Sequence, residues 1–557
     1  MTLLYFVLLV GVLIFVHEVG HFLLAKLFNV KVLKFSLGFG PAALGFRRGE
    51  TEYCIAWLPL GGFVKMLGED PAEPVRREDH DRAFHHKPLW QRYAIVLAGP
   101  IFNIIFPTLI YFIFFASQSR LPPPVIGKVL PDEPAAEAGL RPGDRILAVD
   151  GRPVRYWTDR EAAGGGLWSV THNIAPYPGV ALRITIKRGG QRLERFITPR
   201  EDVCYDRLGL RWRCGVIGVS PLFEMAQIGV IDPAGPAGRA GLRTGDLITA
   251  VNGRPIERWD ELAQLLEHNR GDALRLAYLR PGAPLSDFAD LRLLHPRTTV
   301  LDPEPRHEAT TVRYETGIAS AELFVRHIDP GSPAAALGLK PGDRIVALDG
   351  RPVKHWAVFG QALRQRPDAD HRLVWLRLGG EQREARFRFA QVAYRDDLGN
   401  QLARYVFGAE ADVVARAHEP VPVEGRLGYA AVESVRYTSD LVHKLLVVIV
   451  ELFRGGISRD TIGGPLMLAK AARVAAETGW DKFLLLMALI SINLGIINLL
   501  PVPLLDGGHI MFFTIEAIRR RPLSLRARAL ASYFGLVLLV SLMVFALKND
   551  ITRFWFR

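Results

Sequence analysis

Four apolar runs divide this chain, and each is long enough to cross a bilayer at about 20 residues per span. They cover residues 1–28, 93–116, 483–505 and 532–547. Inside hydrocarbon every backbone N–H and C=O needs an internal partner, so such runs fold as helices. The first run could instead be a signal peptide, but it has no basic leader and no small-residue cleavage site follows it. We read it as a span. A fifth stretch, 441–456, is interrupted by His443, Lys444, Glu451 and Arg454, and reads as an amphipathic helix at the membrane interface.

Positive charge orients these spans. Residues 29–92 carry Lys31, Lys34, Arg47, Arg48, Lys65, Arg76, Arg77, Arg82, Lys87 and Arg92, and the last loop carries Arg519, Arg520, Arg521, Arg526 and Arg528. Both loops are expected to face the cytoplasm. The N-terminus, the large region after residue 116 and the C-terminus then lie on the other side. The formal charge of +12 follows from topology and contact with acidic lipid, and no nucleic-acid motif accompanies it. Cys204 and Cys214 lie on the non-cytoplasmic side, where a disulfide can persist; the sequence leaves bridged and free states open. Cys54 reads as an apolar filler.

The large region repeats itself three times. "EPAAEAGLRPGDRILAVDGRPV" starts at Glu133, "GPAGRAGLRTGDLITAVNGRPI" at Gly235 and "SPAAALGLKPGDRIVALDGRPV" at Ser332. Each copy reads as a short helix, a Gly-Asp turn, an alternating strand and an Asp-Gly or Asn-Gly hairpin. The pattern resembles PDZ domains of the bacterial protease-associated kind. The resemblance implies three α/β modules at about 121–203, 213–300 and 316–395 that bind peptide C-termini by strand addition. Gly143 and Asp144, Gly245 and Asp246, and Gly342 and Asp343 are expected to form the fold rather than bind ligand. Residues 396–480 read as a linker with membrane-proximal amphipathic helices.

Within the first span stands "FVHEVGHFLL", residues 15–24. Ionisable groups at that depth are costly and mark function. His17 and His21, four apart, share one helix face, so both imidazoles can reach one cation while Glu18 acts as general base toward water. Zinc needs a third protein ligand. The acidic residue at the end of another span is Asp506, in "NLLPVPLLDGGHI". A straight helix from Phe483 would carry Asp506 roughly 34 Å into the span against roughly 21 Å for His17. Pro501 and Pro503 can break that helix and fold the segment back, provided it lines a protein cavity.

HExxH in the first span with "NLLPVPLLDGG" in a late one resembles the site-2 protease family of intramembrane zinc metalloproteases. "PLGGFVKMLGED" and "LISINLGIINLLPVPLLDGGH" bring it nearest the bacterial regulators of envelope stress. The resemblance covers essentially the whole chain and implies a bacterial inner-membrane enzyme, its repeats periplasmic and its site within the membrane towards the cytoplasm. It implies Zn2+ held by His17, His21 and Asp506, with Glu18 activating water and Asn498 on the substrate side. His509 matches no ligand position. Familiar members carry two PDZ modules, and this chain reads as three.

The segment 35–68 turns and alternates like β-hairpins. The resemblance makes it a membrane-associated β-hairpin element whose exposed edge, with Gly61, Gly62 and Phe63, holds an unwound substrate as an added strand. "AGPIFN", 98–103, and "SRDTIGGP", 458–465, have small residues suited to close packing or hinges. The expected fold is thus a polytopic α-helical membrane protein of four transmembrane helices with three periplasmic PDZ-like domains. The resemblance implies substrates that are single-span proteins already cut once on the outer side, an anti-sigma factor first and remnant signal peptides second. The competing reading is a non-catalytic PDZ scaffold for exposed C-termini, which has no need of four polar groups in lipid.

Overall fold

The computed structural model describes residues 1–69, 75–157, 169–205, 211–285, 288–308, 311–395, 401–411, 413–454, 463–521 and 523–556. Most of the "SRDTIGGP" segment falls outside these residues. The chain forms two compact units. One holds residues 1–119, 395–402 and 423–557; the other holds 120–394 and 403–422.

The first unit is built on helices α1 (Thr2–Leu27), α2 (Leu89–Ser117), α3 (Arg426–Arg454), α4 (Pro465–Thr478), α5 (Trp480–Asn498), α6 (Asp506–Arg519) and α7 (Leu525–Ile551). Among the described residues, four helices are long and apolar enough to cross a membrane: α1, α2, α5 and α7. On α1, Leu9, Leu13, His17, Gly20 and His21 form the buried stripe, while Leu4, Leu8, Phe15 and Leu23 stay exposed. An apolar exposed face on a helix of this length is one that lipid covers. Helix α7 goes further, exposing Tyr533, Phe534, Val537, Val540, Met543 and Val544 around its circumference.

Polar contacts fix the remaining helices. Asp550, fully buried near the end of α7, accepts hydrogen bonds from the N–H groups of Gly464, Leu466 and Met467. It satisfies donors that the start of α4 cannot satisfy within the helix. The stretch expected at 441–456 belongs to the longer α3, which packs on α2 through Thr108 with Thr438 and through the rings of Tyr111, Phe115 and Tyr437.

Strands β1 (Val32–Arg48) and β2 (Thr51–Met66) follow α1. Each is long enough to be used twice. Phe35 pairs with both Val64 and Tyr53, and Tyr53 pairs in turn with Phe46. The order is therefore 42–48, 51–56, 34–37, 62–66, an antiparallel layer whose two edges are the outer half of β1 and the end of β2. Glu50, in the turn between the strands, is held by Lys26 at 2.8 Å and Arg82 at 2.7 Å.

The second unit contains three copies of one topology. Each has a four-stranded antiparallel sheet in which the hairpin strand lies outermost: Arg152–Pro153, Arg145–Val149, Leu182–Arg188, Gln191–Ile197 in the first. The hairpins turn at Asp150-Gly151, Asn252-Gly253 and Asp349-Gly350, all with positive φ, as two-residue turns that match strand twist require. The Gly-Asp aspartates are structural. Asp144 accepts from the N–H of Arg141 and from Arg188; Asp246 does the same with Arg243 and Arg280, and Asp343 with Lys340 and Arg377.

Each copy is closed by a strand that comes after it in sequence. Lys128–Val129 pairs with Val219–Ser220, Ile228–Val230 with Ile318–Ser320, and Val325–Ile328 with Ala409–Ala411. The folded copies therefore extend past 203, 300 and 395, where the sequence reading ends them. Arg120 and Leu121 at the entrance pair with Pro422 and Val421 at the exit. Cys204 and Cys214 form a disulfide, and Cys54 is a buried free thiol.

The copies meet at Lys128. Its ammonium contacts Glu224, and Glu322 lies 2.7 Å away on the third copy. Glu322 also accepts the N–H of Trp356 at 2.8 Å. Burial, reinforced by the nearby Glu322, pushes the Glu224 carboxyl up to about 7 against the pull of Lys128.

Candidate metal centre

His17 and His21 point from one face of α1, with Nε2 atoms 3.2 Å apart. Asp506 completes the group: Oδ2 lies 3.1 Å from His17 Nε2 and Oδ1 3.5 Å from His21 Nε2. Among the described residues this is the one cluster of metal-binding side chains that converges. Both histidines are buried.

The way Asp506 arrives differs from a span running to residue 505. Helix α5 stops at Asn498, and Pro501 and Pro503 prevent its continuation. Leu504 then adopts φ +89°, a conformation costing about 1–3 kcal/mol in a side-chain-bearing residue. The chain reverses there and α6 begins at Asp506. Close approach explains the two glycines that follow. A Cβ on Gly507 would lie 2.1 Å from the Leu500 carbonyl oxygen, and one on Gly508 2.5 Å from that of Val502.

Helix α2 supplies the floor. A Cβ at Gly99 would sit 2.3 Å from His21 Nε2, so no larger residue fits under the imidazoles. His21 Nδ1 lies 2.8 Å from the Ile95 carbonyl, and donating its proton there leaves Nε2 as a free lone pair. His17 Nδ1 lies 3.1 Å from the side-chain amide of Asn103. Sequence reasoning assigned "AGPIFN" to packing and missed both Gly99 and Asn103. The available signal was a polar asparagine in an otherwise apolar span.

Glu18, the next residue after His17, is buried at 8 % exposure. The edge of β2 runs beside it. A Cβ on Gly62 would come 2.7 Å from Ile14 Cγ2 and 3.1 Å from Glu18 Cγ, so the absence of a side chain sets the approach. Gly61 has φ +88° and abuts the Phe39 ring, which stacks on Phe63 at 6.2 Å between centroids. Asn498 Nδ2 lies 3.4 Å from His17 Nε2, beside the cluster. His509 is not part of the converging group.

The donor set fits zinc. Zn–N bonds of about 2.0–2.1 Å in a tetrahedron place ligand atoms roughly 3.4 Å apart; the two Nε2 atoms here are 3.2 Å apart, and each faces one Asp506 oxygen, at 3.1 and 3.5 Å. Among the described residues, Asp506 Oδ2 is buried and has no hydrogen-bond donor. A buried carboxylate with one oxygen toward each imidazole nitrogen is an arrangement that a cation would stabilise. Three protein ligands leave a fourth position open, as catalytic zinc requires.

A buried His-His-Asp set beside a glutamate, enclosed by apolar helices, defines a metal-dependent hydrolase of the membrane. Residues 5–542 match the peptidase family M50. A protein of Neisseria meningitidis named as a zinc metalloprotease is 30% identical over 99% of both chains. The regulator of sigma-E protease RseP of Escherichia coli is 32% identical over 98% of both, and that of Salmonella typhimurium 28% over 98% of both. This chain belongs to peptidase family M50, the site-2 proteases, and is an intramembrane zinc metalloprotease.

Proposed function

We propose that His17, His21 and Asp506 hold the zinc and that Glu18 is the general base. The observation that carries this reading is the meeting of Asp506 with the two histidines at 3.1 and 3.5 Å, across nearly five hundred residues of sequence. Zinc in that position supplies a Lewis acid that makes water a nucleophile near neutral pH and polarises a carbonyl. Glu18 takes the proton of the attacking water and delivers it to the departing amine. The surrounding apolar helices exclude bulk water, which strengthens each of these interactions.

The substrate class follows from the β2 edge. A transmembrane helix shields its own carbonyls, so it must unwind before hydrolysis. An unwound segment added along residues 62–66 would run beside Glu18, with Gly61, Gly62 and Phe63 shaping the groove and Asn498 contacting the peptide. We read the substrates as single-span proteins of a bacterial inner membrane, already trimmed on the periplasmic side. An anti-sigma factor is the leading candidate and remnant signal peptides the second. The three repeats are PDZ-like periplasmic domains that bind peptide C-termini and exclude untrimmed substrates by size.

The test is cleavage of a tagged single-span substrate in membranes by wild type, Glu18→Gln and Asp506→Asn at equal expression. Product from wild type alone is the expected result. Equal product from all three would sink the assignment of these residues.

A further inference from the structure

Pro107 lies inside α2 and has no N–H, so the carbonyl four residues earlier, that of Asn103, lacks its helical donor. Ser491 of α5 takes the donor's place, giving its hydroxyl proton to that carbonyl at 2.7 Å. Both residues are fully buried. One turn along α5, Gly495 lets the helices close: a Cβ there would meet the Pro100 carbonyl oxygen at 3.0 Å and Asn103 Cβ at 3.3 Å. Asn103 is thus fixed through its backbone by α5 while its side chain reaches α1.

At that far end the amide lies 3.1 Å from His17 Nδ1, and Asn103 Oδ1 is buried without a partner among the described residues. An imidazole that offers Nε2 to a metal carries its proton on Nδ1 and needs an acceptor there. The two ends of an amide are nearly alike in outline, and the orientation with oxygen toward Nδ1–H is the one that gives that proton an acceptor.

We infer that Asn103 is a positioning residue. Held by Ser491 at the carbonyl Pro107 leaves free, it accepts the Nδ1 proton of His17 and keeps Nε2 available to zinc. This rests on the reading of His17 as a ligand. It links the ligand helix α1 to α5, the helix that leads into Asp506, through one side chain.

The test is zinc retention by the full-length protein in detergent against a competing chelator, read as metal per protein, for wild type, Asn103→Leu, Asn103→Asp and His17→Ala. Asn103→Leu is expected to weaken zinc affinity about 10- to 100-fold. Asn103→Asp keeps the acceptor and is expected to stay close to wild type. Leu binding zinc as tightly as wild type, or Asp as weakly as Leu, would overturn the proposal. Should His17→Ala hold zinc like wild type, the metal-centre assignment itself would fail; weak His17→Ala beside a tight Asn103→Leu removes only the role of Asn103. If Asn103→Leu does not fold, Ser491→Ala tests the same link at a distance from the metal. A several-fold weakening is expected there, and unchanged affinity overturns the proposal.

Discussion

Arg92 of α2 and Glu516 of α6 meet fork to fork, with Nη2 to Oε1 at 2.6 Å and Nη1 to Oε2 at 3.3 Å. The guanidinium also lies 5.1 Å from the Phe513 ring. Both side chains are largely buried, and bidentate pairing fixes angle as well as distance. Since α6 begins at Asp506, this pair clamps the helix that carries Asp506 against α2. Among the described residues, Arg92→Ala leaves Glu516 with Arg528 at 3.7 Å as its cation, and is expected to cost about 2–4 kcal/mol, near the range for breaking a buried pair. Thermal unfolding would measure that loss, and zinc content should fall with it. Arg92→Lys, which cannot pair bidentately, should recover only part of both.

Gly99→Ala tests the floor of the site. The new methyl would occupy space 2.3 Å from His21 Nε2, the atom proposed to bind zinc. Zinc content is expected to drop strongly while helix propensity improves by about 1 kcal/mol. Gly11→Ala is the matched comparison, because nothing lies within 4 Å of its Cβ position. Equal zinc content in the two variants would contradict the packing described.

Glu50 gives a pH dependence of known sign. The Arg82 and Lys26 partners hold its carboxyl at about 2, below the usual 4.5. A carboxyl with a lowered folded value contributes stability above its unfolded value and loses it as pH falls. Hydrogen exchange in residues 32–66 should therefore accelerate as pH drops from about 4.5 toward about 2, after correction for intrinsic rates. Glu50→Gln should be looser at neutral pH and lack this step.

Lys128 offers the opposite sign. Burial raises the Glu224 carboxyl to about 7, so the folded array retains a proton that the unfolded chain releases near 4.5. That contribution is fully present at low pH and is lost as pH rises from about 4.5 through about 7. Lys128→Met leaves two carboxylates buried without their cation and is expected to destabilise by about 3–5 kcal/mol at neutral pH. Thermal melts at pH 5 and pH 8 should show the variant's deficit growing with pH. A deficit independent of pH would place the effect in packing instead.

Much of the site was legible in sequence because its chemistry is local. His17, Glu18 and His21 declare themselves by helical spacing, and the prolines before Asp506 announce a broken helix. The positive φ of Leu504 was not legible, since in a leucine it arises from tertiary packing against propensity. Ser491 escaped for a related reason, being unremarkable in its own helix, and Asn103, though polar in an apolar span, gains a role only once α1, α2 and α5 lie together. The repeats were plain from their Gly-Asp and Asn-Gly turns. Their closing strands, two or three residues long, carry too few side chains to show a period, and Lys128 gains its partners from copies whose mutual arrangement no linear pattern records.

The pairing of Arg120 with Pro422 and Leu121 with Val421, with the Ser119 carbonyl accepting the N–H of Val423 at 3.0 Å, makes everything between them a cassette. Each copy within it is likewise stitched start to finish. A chain organised this way can gain or lose a whole copy while α2 and α3 continue to see the same pair of neighbouring ends. The points where the chain leaves α2 and returns toward α3 are thereby neighbours at Ser119 and Val423, however many copies are strung between them.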